Sequence, residues 1–210
     1  MPRLGVGARA ARFRHPIAAL LIALAGLAMT LAQAHACACC SNQGQRDVGT
    51  AKLDATMRDQ IDRPRFAAEA ELYMGERDPT DIKGIATPSG KYALHVAREA
   101  KRWIFTFRDT AGRSGTLILA IPDTVSLFAV DPRLDEREGT TGPTLFKEWK
   151  LTSPVAGSGI FAPGMGKGQL VTLILQGHGN NCTSADMATH WTLVVHGPKA
   201  EYHLFGKFVQ

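Results

Sequence analysis

Three thiols stand within four residues at Cys37-Ala38-Cys39-Cys40. Thiolates are soft donors of the kind that select Cu(I) or Zn(II), so this run is the most pointed chemistry in the chain. A second cluster, His178-Gly179-Asn180-Asn181-Cys182, offers an imidazole and a thiol across a flexible Gly-Asn-Asn, the spacing of a metal half-site. Joined, the two could complete a Cys₃His or Cys₂His set. The ligands would be Cys37, Cys39, Cys40, His178 and Cys182, and the ion copper ahead of zinc. The rival chemistry is oxidation, because four cysteines in an exported chain read as two disulfides. Bridging the neighbours Cys39 and Cys40 would strain the backbone, so Cys37–Cys40 with Cys39–Cys182 is the easier pairing. Both readings require Cys182 to lie near the N-terminal cluster.

Sharper templates fail on inspection. A c-type haem site needs His directly after Cys-x-x-Cys, and position 41 is Ser. A thioredoxin-like pair follows a strand, and none precedes this one. Before Cys37, Ala34 and His35 depart from a lipobox. Around Ser158 the outer positions of a nucleophile elbow are Ala156 and Ile160, where glycines are needed. Gly164 to Gly168 lacks the terminal Ser or Thr of a phosphate loop, and Phe161 replaces its first glycine. Glu69 and Glu71 point the same way on one strand, which a solvated face explains better than paired-carboxylate catalysis. His190 and His196 share a strand face but stand about 20 Å apart, too far to chelate one ion. His95 and His203 read as partly exposed sheet residues. With no catalytic template satisfied, a non-enzymatic role is expected.

The elements that must carry these residues begin with a leader. Arg3 to Arg14 form a positive region, Ile17 to Leu31 an apolar run, and Ala32-Gln33-Ala34 and Ala34-His35-Ala36 two small-residue cleavage sites. Residues 1–36 are therefore expected to be a cleaved signal peptide, leaving no later segment long enough to span a membrane. Four of the 24 basic residues and none of the 19 acidic ones lie in that leader. What remains carries 20 against 19, a near neutrality that gives no electrostatic footprint for nucleic acid. The destination is periplasmic or secreted.

Residues 37–63 read as a cysteine-rich arm followed by a short helix. Ser41 to Gly49 form its linker, Thr50 the helix cap, Leu53, Met57 and Ile61 its apolar stripe, and Pro64 its stop. Over 64–210 the period becomes two. Phe66, Ala68, Ala70, Leu72 and Met74 alternate with Glu69, Glu71 and Tyr73. Further runs start at Tyr92, Trp103, Thr116, Thr124, Leu145, Gln169, His190 and Glu201. Two long connections, Asp131 to Thr144 and Ser153 to Gly168, interrupt them.

The pattern predicts an all-β domain, a single β-sandwich or small β-barrel of about nine strands behind a short helix. A barrel enclosing an apolar ligand is a third outcome the strand pattern allows. The expected function is soft-metal binding through the cysteine cluster. Its alternative is a disulfide-stabilised structural or interaction module without metal, partnered by an unknown protein of the cell envelope.

Overall fold

The structure, a computed structural model, describes residues 46–75, 81–130, 145–179 and 188–209. They form one antiparallel sheet of eleven strands. In chain order these are β1 Arg46–Lys52, β2 Arg65–Phe66, β3 Glu69–Leu72, β4 Lys91–Glu99, β5 Arg102–Asp109, β6 Ser114–Ala120, β7 Thr124–Val130, β8 Leu145–Gly159, β9 Leu170–Gly179, β10 His190–His196 and β11 Glu201–Val209. One α-helix, α1 Ala55–Asp62, and one 3₁₀ turn, Ala162–Gly164, complete the described residues.

Eight strands close into a barrel in the order β8-β6-β5-β4-β3-β11-β10-β9, with β9 returning to β8. The closing ladder runs from Leu145–Gly179 to Pro154–Leu170. Outside the ring, β7 pairs with the first half of β8 and β1 pairs with β7. The all-β expectation holds, and of its two forms the barrel is the one adopted.

Alternation explains the barrel locally. Tyr92 and Leu94 on β4, Trp103, Phe105 and Phe107 on β5, and Trp191, Leu193 and Val195 on β10 are all buried. The positions between them, such as Lys91, His95, Arg108 and His190, face solvent. Apolar-in and polar-out is the reverse of a lipid-embedded barrel. Among the described residues no helix is long and apolar enough to cross a membrane. Trp103, Trp191, Tyr202, Phe105, Phe107 and Phe161 are fully buried. An eight-stranded ring is just wide enough for such side chains, so aromatic rings occupy the interior an enclosed ligand would need.

One opening of the barrel is covered by α1. Ile61 is fully buried, while Leu53 and Met57 pack against the core. Arg58 donates to the Glu99 carbonyl at 3.3 Å, and Arg98 donates to the carbonyls of Asp62 and Pro64, tying the helix to the β4–β5 turn. At the other opening Phe161 meets Phe107 edge-on at 5.3 Å and stacks on Tyr202 at 5.9 Å. Gly84, at φ +95°, lets its segment pass Ala200, whose Cβ would lie 2.3 Å from any Cβ added there. The β5–β6 turn is held by Asp109, whose carboxylate accepts from the Ala111 and Arg113 amides at 2.9 Å and from the Arg113 guanidinium at 2.7 Å.

Three local expectations are corrected. The helix cap is Asp54, which accepts from the Met57 amide at 2.8 Å; Thr50 lies in β1 opposite Ser126. Most of β1 comes from the stretch read as linker, because its hydrogen bonds to β7, not a buried face, make it a strand. The glycine-rich segment after Ser153 does not begin as a loop: β8 continues to Gly159. Its Pro154 is tolerated because Val155 donates to the carbonyl of Gln169, just before β9, so the nitrogen of Pro154 faces the other side. There β8 is passing from β7, whose last pair is Lys150, to β6, whose first is Val155.

Candidate functional site

Of the predicted ligands, Cys37, Cys39, Cys40 and Cys182 lie outside the described residues, and only the backbone of His178 is described. Asp131 to Thr144 also lies outside them. The sheet nevertheless fixes where the chain departs toward each cluster. Arg46, at the start of β1, pairs with Val130, at the end of β7. Val130 pairs with Phe146 on β8, and Phe146 with His178 on β9. These four residues form a single row across β1, β7, β8 and β9.

Neighbouring strands lie about 4.8 Å apart, so the row spans about 14 Å from Arg46 to His178. Cys40 precedes Arg46 by six positions, and Cys182 follows His178 by four. At about 3.5 Å per extended residue, those lengths reach about 21 and 14 Å, together well beyond the span of the row. Strand direction matters as much as distance. Because β1 and β8 begin where β7 and β9 end, the chain enters β1 and leaves β9 at the same end of the sheet. Lys147, buried on β8 between Ala129 and Gly177, puts a cation one position from this row.

The other singled-out residues stay apart. His190 and His196 are the exposed first and last residues of β10. His95 and His203 are exposed on β4 and β11. Glu69 and Glu71 are both exposed on β3. Ser158 sits in the body of β8, bonded to the Thr116 hydroxyl at 2.7 Å, and not on a strand-to-helix elbow. Gly164 packs against Gly84, where an added Cβ would come within 2.7 Å of the Gly84 carbonyl oxygen, so it is a contact point of the barrel cap. Among the described residues no three His, Cys, Asp or Glu gather to hold a metal ion.

The sequence names candidate ligand types but not the row that relates the segments carrying them. No pattern in Arg46, Val130, Phe146 or His178 signals register, which the hydrogen-bond ladders set.

Fold and sheet end thus define an antiparallel eight-stranded β-barrel, extended beyond β8 by β7 and β1, with both cysteine-bearing segments departing from one end of the β1-β7-β8-β9 row. The chain matches no protein-family model, no curated protein and no solved structure.

Proposed function

We propose that this chain is an exported, periplasmic or secreted, non-enzymatic protein that binds a soft metal ion, copper ahead of zinc. The ligands are Cys37, Cys39, Cys40 and Cys182, with His178 as the imidazole. Its cellular role is metal buffering, delivery or tolerance. The observation that carries this reading is the row Arg46, Val130, Phe146 and His178, because it lets arm and loop meet without rearranging the barrel. A short thiol-rich arm is poorly ordered by itself, and one ion takes its remaining ligands from a scaffold.

The same row also favours a second reading, in which Cys182 is the disulfide anchor of the arm and the protein is a structural or interaction module of the envelope. One experiment separates the two. The mature protein is purified from the exported fraction, its first residue read by mass, its free thiols counted and its bound metal measured. Three or four reduced thiols with stoichiometric copper support metal binding; two disulfides without metal overturn it. Under the disulfide reading Cys182→Ser costs about 2–5 kcal/mol of stability. Under the metal reading that change mainly weakens metal affinity, and His178→Ala does so in parallel. A first residue at His35 or Cys37 is expected, whereas a chain still beginning near Met1 makes the protein membrane-anchored.

A further inference from the structure

A second candidate site lies on the outer face of the barrel, wholly within described residues and independent of the cysteines. It starts from an irregularity between β3 and β11. Between the pairs Phe66–Phe208 and Glu71–Phe205 the chain advances five residues on one side and three on the other. The two extra residues make a bulge, a device that re-aims side chains and interrupts a ladder. Gly206 permits it: a Cβ there would stand 2.7 Å from the Trp191 ring and 2.9 Å from the Glu69 carbonyl oxygen.

Two depressions open beside the bulge. One, of 340 Å³, is bordered by Glu69, Glu71, His190, Phe205 and Lys207. The other, of 280 Å³, is bordered by Tyr73, Thr192, His203 and Phe205. Phe205 belongs to both, so they form one groove across β3, β11 and β10.

Its floor and its rim differ in chemistry. Tyr73 leaves 54% of its surface in solvent. Its ring stacks on the His203 imidazole, with centroids 6.3 Å apart and planes inclined by 25°. A ring braced in this way meets a ligand with its orientation already set, which lowers the cost of binding. The rim carries both signs of charge, Glu69 and Glu71 against Lys207, and Lys91, which lines the neighbouring depression, stands opposite Glu71 on β4. Carboxylates and ammonium groups nearly balance, so neither a polyanion nor a polycation gains from the field. A neutral ligand with an apolar face and a hydroxylated edge does gain, because its C–H face packs on the rings while its hydroxyls bond to both kinds of charge.

We propose that this groove is a saccharide-binding site that takes a short neutral oligosaccharide, with Tyr73 as the stacking platform and Glu71 as a hydroxyl acceptor. The test is a titration of the isotope-labelled mature protein with cellotetraose, maltotetraose and tetra-N-acetylchitotetraose, followed by amide chemical shifts. At least one sugar is expected to shift residues 69–73 and 190–207 saturably. Tyr73→Ala should weaken that binding about tenfold or more, and Glu71→Gln by several fold. Both side chains are exposed, so the variants should keep the parental thermal midpoint, which is checked in parallel. No saturable shift with any of the three sugars overturns the proposal. So does binding that survives Tyr73→Ala, or the same shifts produced by spermidine in place of sugar.

Discussion

The guanidinium of Arg98 lies 4.7 Å from the centre of the Trp103 ring, with Phe66 at 5.1 Å. The same group donates to the carbonyls of Asp62 and Pro64, so one side chain joins the end of α1 to β4, β5 and the start of β2. Arg98→Met should remove both the ring contact and the two charge-assisted bonds, lowering stability by about 2–4 kcal/mol in urea unfolding. Arg98→Lys should recover little of this, because an ammonium cannot lie flat on a ring while serving two carbonyls. Full recovery by Lys would show that charge alone matters there.

Two glycines with positive φ make a matched pair. Gly84 stands at +95° against Ala200, whereas Gly112 stands at +81° with nothing within 4 Å of an added Cβ. Gly112→Ala should cost about 1–2 kcal/mol, the backbone term alone. Gly84→Ala adds steric overlap and should cost about 2–5 kcal/mol in the same assay. Equal losses would mean that the cap at that opening yields easily.

Asp109 gives the fold a pH dependence. Burial alone would raise its carboxyl pKa, but the Arg113 guanidinium and the amides of Arg113 and Ala111 outweigh burial and hold it below the usual carboxylate value. A group depressed in the folded state stabilises above its unfolded pKa of about 3.9 and loses that contribution as pH falls through the folded value. Asp109→Asn should therefore lower the thermal midpoint clearly at pH 7. The gap to the parent should narrow as pH drops below about 4. A gap independent of pH would assign the effect to turn geometry.

The helix cap can be tested by a pair of alanines. Asp54→Ala should cost about 1 kcal/mol, the usual loss of an N-cap acceptor. Thr50→Ala, on the exposed strand β1, should stay within about 0.5 kcal/mol of the parent.

Strands with one buried face were legible in the sequence, and the runs expected from Thr124 and His190 begin at those residues. Strand β1 was not, since only Ala51 among residues 48–52 packs on the core: Val48 is 72% exposed, and backbone pairing with β7 makes the strand. Pro154 argued against a continuous β8, and only the change of partner at that point reconciles it with a sheet. For the site, residue type was readable and relation was not. Thiols announce soft-metal or disulfide chemistry wherever they fall, whereas the pairing of Phe146 with His178 depends on register. Likewise Tyr73 was readable as outward-facing, but its contact with His203 crosses between strands far apart in the chain.

The thin junction between β3 and β11 also bears on how long a folded molecule lasts. Around the ring, most neighbours are also neighbours in sequence, so two meanders sharing β8 can assemble from local contacts. Leu72 and Leu204 must instead find each other across the length of the domain, and only the pair Glu71–Phe205 accompanies them in that ladder. Closing so distant a contact carries the largest loop entropy in the ring, and so few bonds repay it late. The seam should form last and part first. Whatever bridges β3 and β11 there acts as a brake on unfolding, setting the lifetime of the closed barrel more than its equilibrium stability.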